Sequence, residues 1–317
     1  MMELLWQSAG ARLHQSPGRR LRDMLDAGGI EPMPGSFNAL SAQILERAGL
    51  KCSLLGGSAV SNSLLGLPDA EFLTLEQLAL VCSHATSVVA MPIVADIDTG
   101  YGNAINATHA VHVFERAGAA GVMIEDQLAP KRSGHIAGKQ VVSVGEMTGK
   151  IKAAAEARTD PDFFIIARCD ARAVEGPDSA IARANAYAAA GADATFIDGA
   201  VSRDDLARFG GEVRSTYRIA NMGGSAKVRT TPKVPLDELR AMGYSLAVFG
   251  LQVTRAAALG MVNFAAALHS RSQHADRPVL DGLHAYSPDA WRRCTGLDRL
   301  PALAECEATA APANGDR

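Results

Sequence analysis

The chain has no long apolar run, no C-x-x-C pair and few aromatic rings, and each absence removes a class of function. No stretch is long and apolar enough to cross a bilayer. The opening residues, MMELLWQSAGARLHQ, lack the uninterrupted apolar segment of a secretory signal. Aromatics make up 5% of the sequence, too sparse for a base-stacking surface. Thirty-one basic and 34 acidic side chains leave a formal net charge of -3. No basic excess points to nucleic acid, and no polybasic run points to a membrane. The five cysteines, Cys52, Cys82, Cys169, Cys294 and Cys306, are odd in number and form no metal-binding spacing. They read as reduced thiols packed as small hydrophobes, which places the chain in the cytoplasm. The expected partner is a small carboxylic-acid substrate.

What is present is a long alternation of two patterns. Eight short apolar runs occur: Ile30–Gly35, Cys52–Gly57, Pro92–Asp98, Gly121–Glu125, Phe163–Asp170, Ala194–Asp198, Tyr217–Asn221 and Leu246–Gly250. They are rich in Val, Ile, Leu and Phe without strict alternation, as parallel strands buried on both faces are. Between them lie helical stretches such as Ala39–Ala48, Leu75–Val89, Ala107–Ala117, Gly145–Ala157 and Ala180–Ala190. Three of these run into Gly49, Gly118 and Gly191, where glycine can close a helix in the left-handed conformation. Eight strand–helix alternations mean a closed barrel or an open doubly wound sheet, and no G-x-G-x-x-G follows the early strands. The expectation is an α/β chain forming a (β/α)8 barrel over residues 21–265. Residues 1–20 form an extension with one helix, and 266–317 form a helical tail whose end is disordered beyond Glu307.

In such a barrel chemistry sits at the C-terminal ends of the strands. The capable side chains fall there repeatedly: Gly56, Gly57 and Ser58, then Asp96 and Asp98, Glu125 and Asp126, Arg168 and Asp170, Asp198, and Asn221. Asp126 and Asp170 have a simpler reading as helix N-caps. Alternate residues of an extended strand point the same way, so Asp96 and Asp98 can face one ion. Oxygen donors without His or Cys suit Mg2+ or Mn2+, with Asp69 and Glu125 holding the ion's waters. The segment Lys131-Arg132-Ser133-Gly134-His135 reads either as a lid that clamps an anion or as a solvated basic loop.

The stretches LLGLPD (64–69), DIDTGYGN (96–103), IEDQ (124–127), KRSGH (131–135), EMTGK (146–150), IARCDA (166–171) and ANM (220–222) resemble the isocitrate lyase and phosphoenolpyruvate mutase superfamily. The likeness spans roughly residues 20–265 and leans toward the 2-methylisocitrate lyase subgroup. That subgroup includes dimethylmalate lyase, carboxyphosphonoenolpyruvate mutase and oxaloacetate decarboxylase. The resemblance implies a barrel that exchanges a C-terminal helix within dimers or tetramers. It implies Mg2+ near Asp96 and Asp98, with Asp69 and Glu125 reaching it through water. Gly56, Gly57, Arg168 and Asn221 then surround substrate carboxylates, and Lys131, Gly134, His135 and Asp198 complete the site. The implied chemistry runs through an enolate.

Four departures stand out. The lyases carry cysteine, their acid/base, where this chain has Ser133. A thiol of pKa about 8.5 is a far better proton donor at neutral pH than an alcohol. Asp198 replaces a glutamate, the loop Gly223–Pro232 is longer than the usual E-G-G-K-T-P, and Gly250-Leu251-Gln252 replaces P-L-S. The expected function is a carbon–carbon lyase, by retro-aldol cleavage of a substituted malate or by decarboxylation of an oxaloacetate-like acid. The alternatives are a phosphonomutase, with Lys227 and Arg229 serving a phosphonate, and a catalytically silent barrel.

Overall fold

The computed structural model describes residues 15–132, 138–223 and 231–269. Eight parallel strands close into a barrel in sequence order, each hydrogen-bonded to the next and the eighth to the first. The strands are β1 (Glu31–Ser36), β2 (Ser53–Leu55), β3 (Ile93–Asp96), β4 (Gly121–Glu125), β5 (Phe164–Cys169), β6 (Ala194–Ile197), β7 (Tyr217–Asn221) and β8 (Leu246–Phe249). A strand falls on each of the eight expected apolar runs, β1 continuing one residue past its run to Ser36.

The helices are α1 (Pro17–Asp26), α2 (Ala39–Arg47), α3 (Gly57–Val60, continuing as a wider turn to Leu65), α4 (Leu75–Val88), α5 (Ala104–Arg116), α6 (Val144–Ala157), α7 (Arg172–Glu175), α8 (Pro177–Ala189), α9 (Arg203–Glu212), α10 (Leu236–Ala241) and α11 (Gln252–His269). Helix α5 starts three residues before its expected Ala107. The Asn103 side chain accepts from the Ile105 and Asn106 amides, while Asn106 reaches back to the Asn103 amide. This reciprocal cap satisfies amide groups that the helix itself leaves unpaired. Helix α8 likewise begins early, at Pro177, because proline is at ease in a first turn. Gly49, Gly118 and Gly191 have φ of +88°, +79° and +112°, the left-handed closure expected of them. A helix runs through the expected boundary at residue 20. Helix α1 buries Leu21 and Leu25 in the barrel-interior cluster with Met33, Val94, Phe164 and Leu246.

Two apolar clusters follow from strand periodicity. Side chains alternate across a strand, so one set fills the interior and the other meets the helices. Leu54, Val94, Met123, Ile166, Phe196, Ile219 and Val248 belong to the interior cluster. Ala95, Val122, Ile124, Ile165, Ala167 and Ile197 pack outward. The chain divides into a unit spanning Leu13–Ala256 and a second unit that contains residues 257–269. The expected disordered end and Trp291 lie outside the described residues. Among the described residues no helix is long and apolar enough to cross a membrane.

Strand β4 starts on Gly121 because β5 leaves no room there. A methyl group at Gly121 would lie 2.1 Å from the Phe164 carbonyl oxygen and 2.6 Å from its Cβ. Gly121→Ala is expected to lower stability by about 1–3 kcal/mol through overpacking, read as a fall in the urea midpoint. An unchanged midpoint would contradict this packing account.

Candidate active site

The interior alternation that buries apolar residues also delivers the polar ones. Two positions beyond Val94, Met123, Ile166, Phe196 and Ile219, on the same face, come Asp96, Glu125, Arg168, Asp198 and Asn221. Register brings Glu125 directly opposite Arg168. A cavity of about 90 Å³ opens at this end, lined by Gly56, Ser58, Asp69, Asp96, Arg168, Asp198 and Asn221 over an apolar floor of Leu54, Met123, Phe196 and Val248.

Arg168 stands at the centre. Its Nη1 lies 3.1 Å from Glu125 Oε2, and its Nη2 donates to Asp170 Oδ1 at 3.0 Å and Asp198 Oδ2 at 3.2 Å. The guanidinium also lies over the Phe196 ring, with 5.6 Å between Cζ and the centroid. Asn221 donates to Asp198 Oδ1 at 2.8 Å and accepts from the Gly223 amide at 2.8 Å, so its orientation is fixed. Asp126 and Asp170 are not helix caps. Asp126 accepts from the Asp170 amide and the Tyr187 hydroxyl, both at 2.7 Å, and Asp170 is held by Arg168 and Lys139. Burial pushes the Asp170 carboxyl up, but Arg168 and Lys139 outweigh it and hold the group at about 2.

The second half of the site gathers around Asp98. The expectation that Asp96 and Asp98 share a face through strand alternation is corrected here. β3 ends at Asp96, and Asp98 lies beyond it with φ +51°, a turn conformation. The carboxylates still come together, around Gly57. Its amide donates to Asp96 Oδ2 at 3.3 Å, and a methyl there would sit 2.9 Å from Asp98 Oδ1. Lys131 Nζ reaches Asp98 Oδ1 at 2.6 Å and Asp69 Oδ1 at 2.8 Å. Burial raises the Asp98 carboxyl to about 7 despite Lys131. Burial also drives Glu125 well above the carboxylate range, with Arg168 and Lys131 opposing it. Burial lowers the Lys131 ammonium, and Glu125, Asp98, Asp96 and Asp69 more than reverse that.

The donor chemistry fits a hard divalent cation. Asp98 Oδ1 and both Glu125 oxygens are buried and make no aligned hydrogen bond, although cations stand near them. Six carboxylates (Asp69, Asp96, Asp98, Glu125, Asp170 and Asp198) share three cations (Lys131, Lys139 and Arg168). No three acidic, His or Cys side chains among the described residues already surround one point. Lys131 supplies the positive charge between Asp69 and Asp98 instead.

Of the residues singled out from sequence, Gly56, Ser58, Asp69, Asp96, Arg168, Asp198 and Asn221 line the cavity. Gly57, Asp98, Glu125 and Lys131 are not among its lining residues and are buried beside it. Ser133, Gly134 and His135 lie outside the described residues, as do Lys227 and Arg229. Sequence reasoning missed Lys139, whose Nζ bonds Asp170 at 2.8 Å and approaches Asp198 at 4.0 Å. It also missed Glu71. Neither sits at a strand end, so only their placement by the fold reveals them.

The comparisons agree with this geometry. The sequence profile described as phosphoenolpyruvate phosphomutase matches residues 21–269. The 2,3-dimethylmalate lyase of Eubacterium barkeri is 35% identical over 281 residues, 89% of this chain and 94% of that protein. The crystal structure of a phosphoenolpyruvate phosphomutase from Streptomyces platensis subsp. rosaceus superposes with a TM-score of 0.82 at 34% identity, covering 93% of this chain and 99% of the other. A phosphonopyruvate hydrolase complex with oxalate and Mg++ gives a TM-score of 0.77 at 28% identity, covering 91% and 98%. A closed barrel with its acids, Arg168 and Asn221 at one end, matched along nearly its whole described length, belongs to the phosphoenolpyruvate phosphomutase family.

Proposed function

We propose that the chain is a cytoplasmic, Mg2+-dependent carbon–carbon lyase acting through an enolate on a small 2-hydroxy or 2-oxo acid. The observation that carries this reading is the buried excess of carboxylates beside a small cavity whose wall also holds Arg168 and Asn221. Asp96 and Asp98, backed by Asp69 and Glu125, would hold Mg2+, or Mn2+ in its place. Bound there, the ion would supply the positive charge that stabilises an enolate oxygen. Arg168 and the backbone around Gly56, Gly57 and Ser58 would face the substrate carboxylates. Asp198 and Asn221 keep Arg168 and the cavity wall in place through their mutual hydrogen bond. The apolar floor excludes water beneath the reacting carbons, which strengthens every charge interaction above it.

In a retro-aldol cleavage the substrate hydroxyl would pass its proton to a carboxylate on the cavity wall, Asp198, as the carbon–carbon bond breaks. The bonding pair passes into the enolate fragment, and a donor then protonates that carbon. Lys131, Ser133 and His135 would serve this last stage, with Gly134 lying against the substrate. The dimethylmalate lyase and the oxalate–magnesium complex among the relatives support both the lyase and the metal. The likeness to a phosphomutase supports the second reading, a phosphonate rearrangement at the same site.

The assay is release of pyruvate or glyoxylate from 2-methylisocitrate, dimethylmalate and oxaloacetate, with phosphonopyruvate alongside. Turnover of phosphonopyruvate alone would sink the lyase reading. Mg2+ at about 100 times its dissociation constant should stabilise the fold by about 2.7 kcal/mol. Asp98→Asn should remove most of that gain, and a variant stabilised as much as the parent would remove Asp98 from the metal site.

Ser133→Cys tests the donor. A thiol at that position is expected to raise retro-aldol rates by about 10²–10⁴-fold, the usual range for general acid catalysis. Oxaloacetate decarboxylation should barely change, because water can protonate its enolate. No gain on any retro-aldol substrate would show that the serine belongs to a different reaction.

We also propose a homo-oligomer, a dimer or tetramer, assembled through the C-terminal helix. Helix α11 leaves Leu259 and Val262 on one side, and Met261 and Leu268 on the other, more than half exposed, apolar surface that water does not favour. Combining Leu259→Asp with Val262→Asp should lower the sedimenting mass. A parent protein that sediments as a monomer would refute the proposal.

A further inference from the structure

Glu71 is an unusual residue in an unusual conformation. Its φ is +61°, in the left-handed region that a residue with a Cβ rarely adopts. Such backbone persists where the surroundings over-determine it, and its neighbours here do so. Glu71 Oε1 accepts from the Thr99 hydroxyl at 2.5 Å, and Oε2 accepts from the Lys131 backbone amide at 2.9 Å. One carboxylate therefore adds a second tie between two pieces of chain that already meet through Lys131 and Asp98.

Both pieces matter to the site. Thr99 directly follows Asp98, whose own φ of +51° is also left-handed. The Thr99 carbonyl accepts from the buried Lys150 ammonium at 3.2 Å, so the residue is gripped through its side chain and its backbone. Asp98 is fixed on its other side, its carbonyl accepting from the Glu125 amide at 2.8 Å. Lys131 carries the ammonium that meets Asp98 and Asp69. The Glu71 bond fixes its backbone at the point from which the side chain turns into the acids.

We infer that Glu71 is a positioning residue that sets the distance between the Asp98 turn and the Lys131 backbone. The inference rests on the metal and lyase reading of Asp98 and Lys131 proposed above. Glu71 acts through those two residues and does not line the cavity. Both of its carboxylate oxygens are engaged and its backbone is strained, and a residue kept only for loop closure would be at ease there as glycine. The strain is tolerated for the sake of the carboxylate.

Glu71→Gly and Glu71→Gln in the full-length chain separate the roles. Glycine accepts φ +61° without strain, which offsets part of the two lost hydrogen bonds and of the added freedom of the unfolded chain, so Glu71→Gly should lower the thermal midpoint only slightly. It should nevertheless speed acylation of Lys131 by acetic anhydride, followed by mass spectrometry, by about tenfold. Mn2+, used as the metal probe and read by water-proton relaxation, should bind about tenfold more weakly, in the range lost when partners of metal ligands are removed. On any substrate the parent turns over, kcat should fall about tenfold with KM within about threefold. Glutamine has one acceptor oxygen where the two bonds need two, so Glu71→Gln should fall between parent and Glu71→Gly. If Glu71→Gly leaves Lys131 labelling unchanged, the inference is overturned. A steep loss of thermal midpoint in Glu71→Gly would also overturn it, by showing a folding strut. A parent that binds no Mn2+ and turns over no substrate defeats the functional reading alone, because Lys131 labelling still decides the role of Glu71.

Discussion

Arg168 enclosed by Glu125, Asp170 and Asp198 is the interaction on which the mouth of the barrel depends. The three acids come from three successive strands, so one guanidinium ties β4, β5 and β6 together at their C-terminal ends. A buried cation of this kind is costly unless its partners are close and aligned, and removing one partner of a buried pair typically costs about 3–5 kcal/mol. Phe196 beneath the guanidinium and Lys139 beside Asp170 complete the enclosure. The arrangement divides positive charge unevenly among the acids. Arg168 and Lys139 both donate to Asp170 Oδ1, whereas Glu125 and Asp98 each face a cation shared with other acids. Asp170 Oδ2, Asp98 Oδ1 and both Glu125 oxygens lack aligned donors.

That imbalance directs the chemistry. Asp170, flanked by two cations, is held ionised, and burial drives Asp98 and Glu125 the other way. Oppositely displaced carboxylates packed beside one cavity are characteristic of functional sites. Asp170 is held by its two cations, and Asp98 and Glu125, buried beside the cavity, gain most from an added positive charge. Lys131 meets some of that demand through two contacts shorter than 3 Å. An ammonium is a single charge with three donors, and a hard dication would serve the same oxygens better.

Much of this was legible in the sequence for one reason. Parallel strands place every second residue on the same face, so Val94–Asp96, Met123–Glu125, Ile166–Arg168, Phe196–Asp198 and Ile219–Asn221 announce both the interior and its polar end. The strand count and the left-handed glycines followed from equally local rules. Where the rule stops, reading failed. Asp98 stands two residues beyond Asp96 and invites the same inference, yet the strand has already ended and a turn presents its carboxylate. Helix starts were misjudged where capping side chains such as Asn103 extended the helix beyond its apolar pattern. Asp126 looked like a cap and is instead gripped by Tyr187 from a helix 61 residues away. Contacts of that range leave no periodic trace.

The described chain on either side of residues 133–137 shows how a barrel separates shared machinery from selectivity. Lys131 is pinned by Asp69, Asp98 and Glu71, and the Arg132 backbone exchanges two hydrogen bonds with the Gln127 side chain, at 3.0 and 2.9 Å. On the far side Lys139 is buried against Asp170, and Gln127 and Val141 form a bridge. Lys139 shares Asp170 with Arg168, which ties this far anchor to the same ion network. Of the four sequence departures, Asp198 lies inside this network and keeps the charge of the acid it replaces, while Ser133 and the loop after β7 fall in connections between elements. Strand-end residues cannot change charge without unbalancing the buried network, whereas loop residues can change with little cost to the fold. A common enolate site could in this way pass between substrates by substitution at Ser133 while Asp96, Glu125, Arg168 and Asn221 stay as they are.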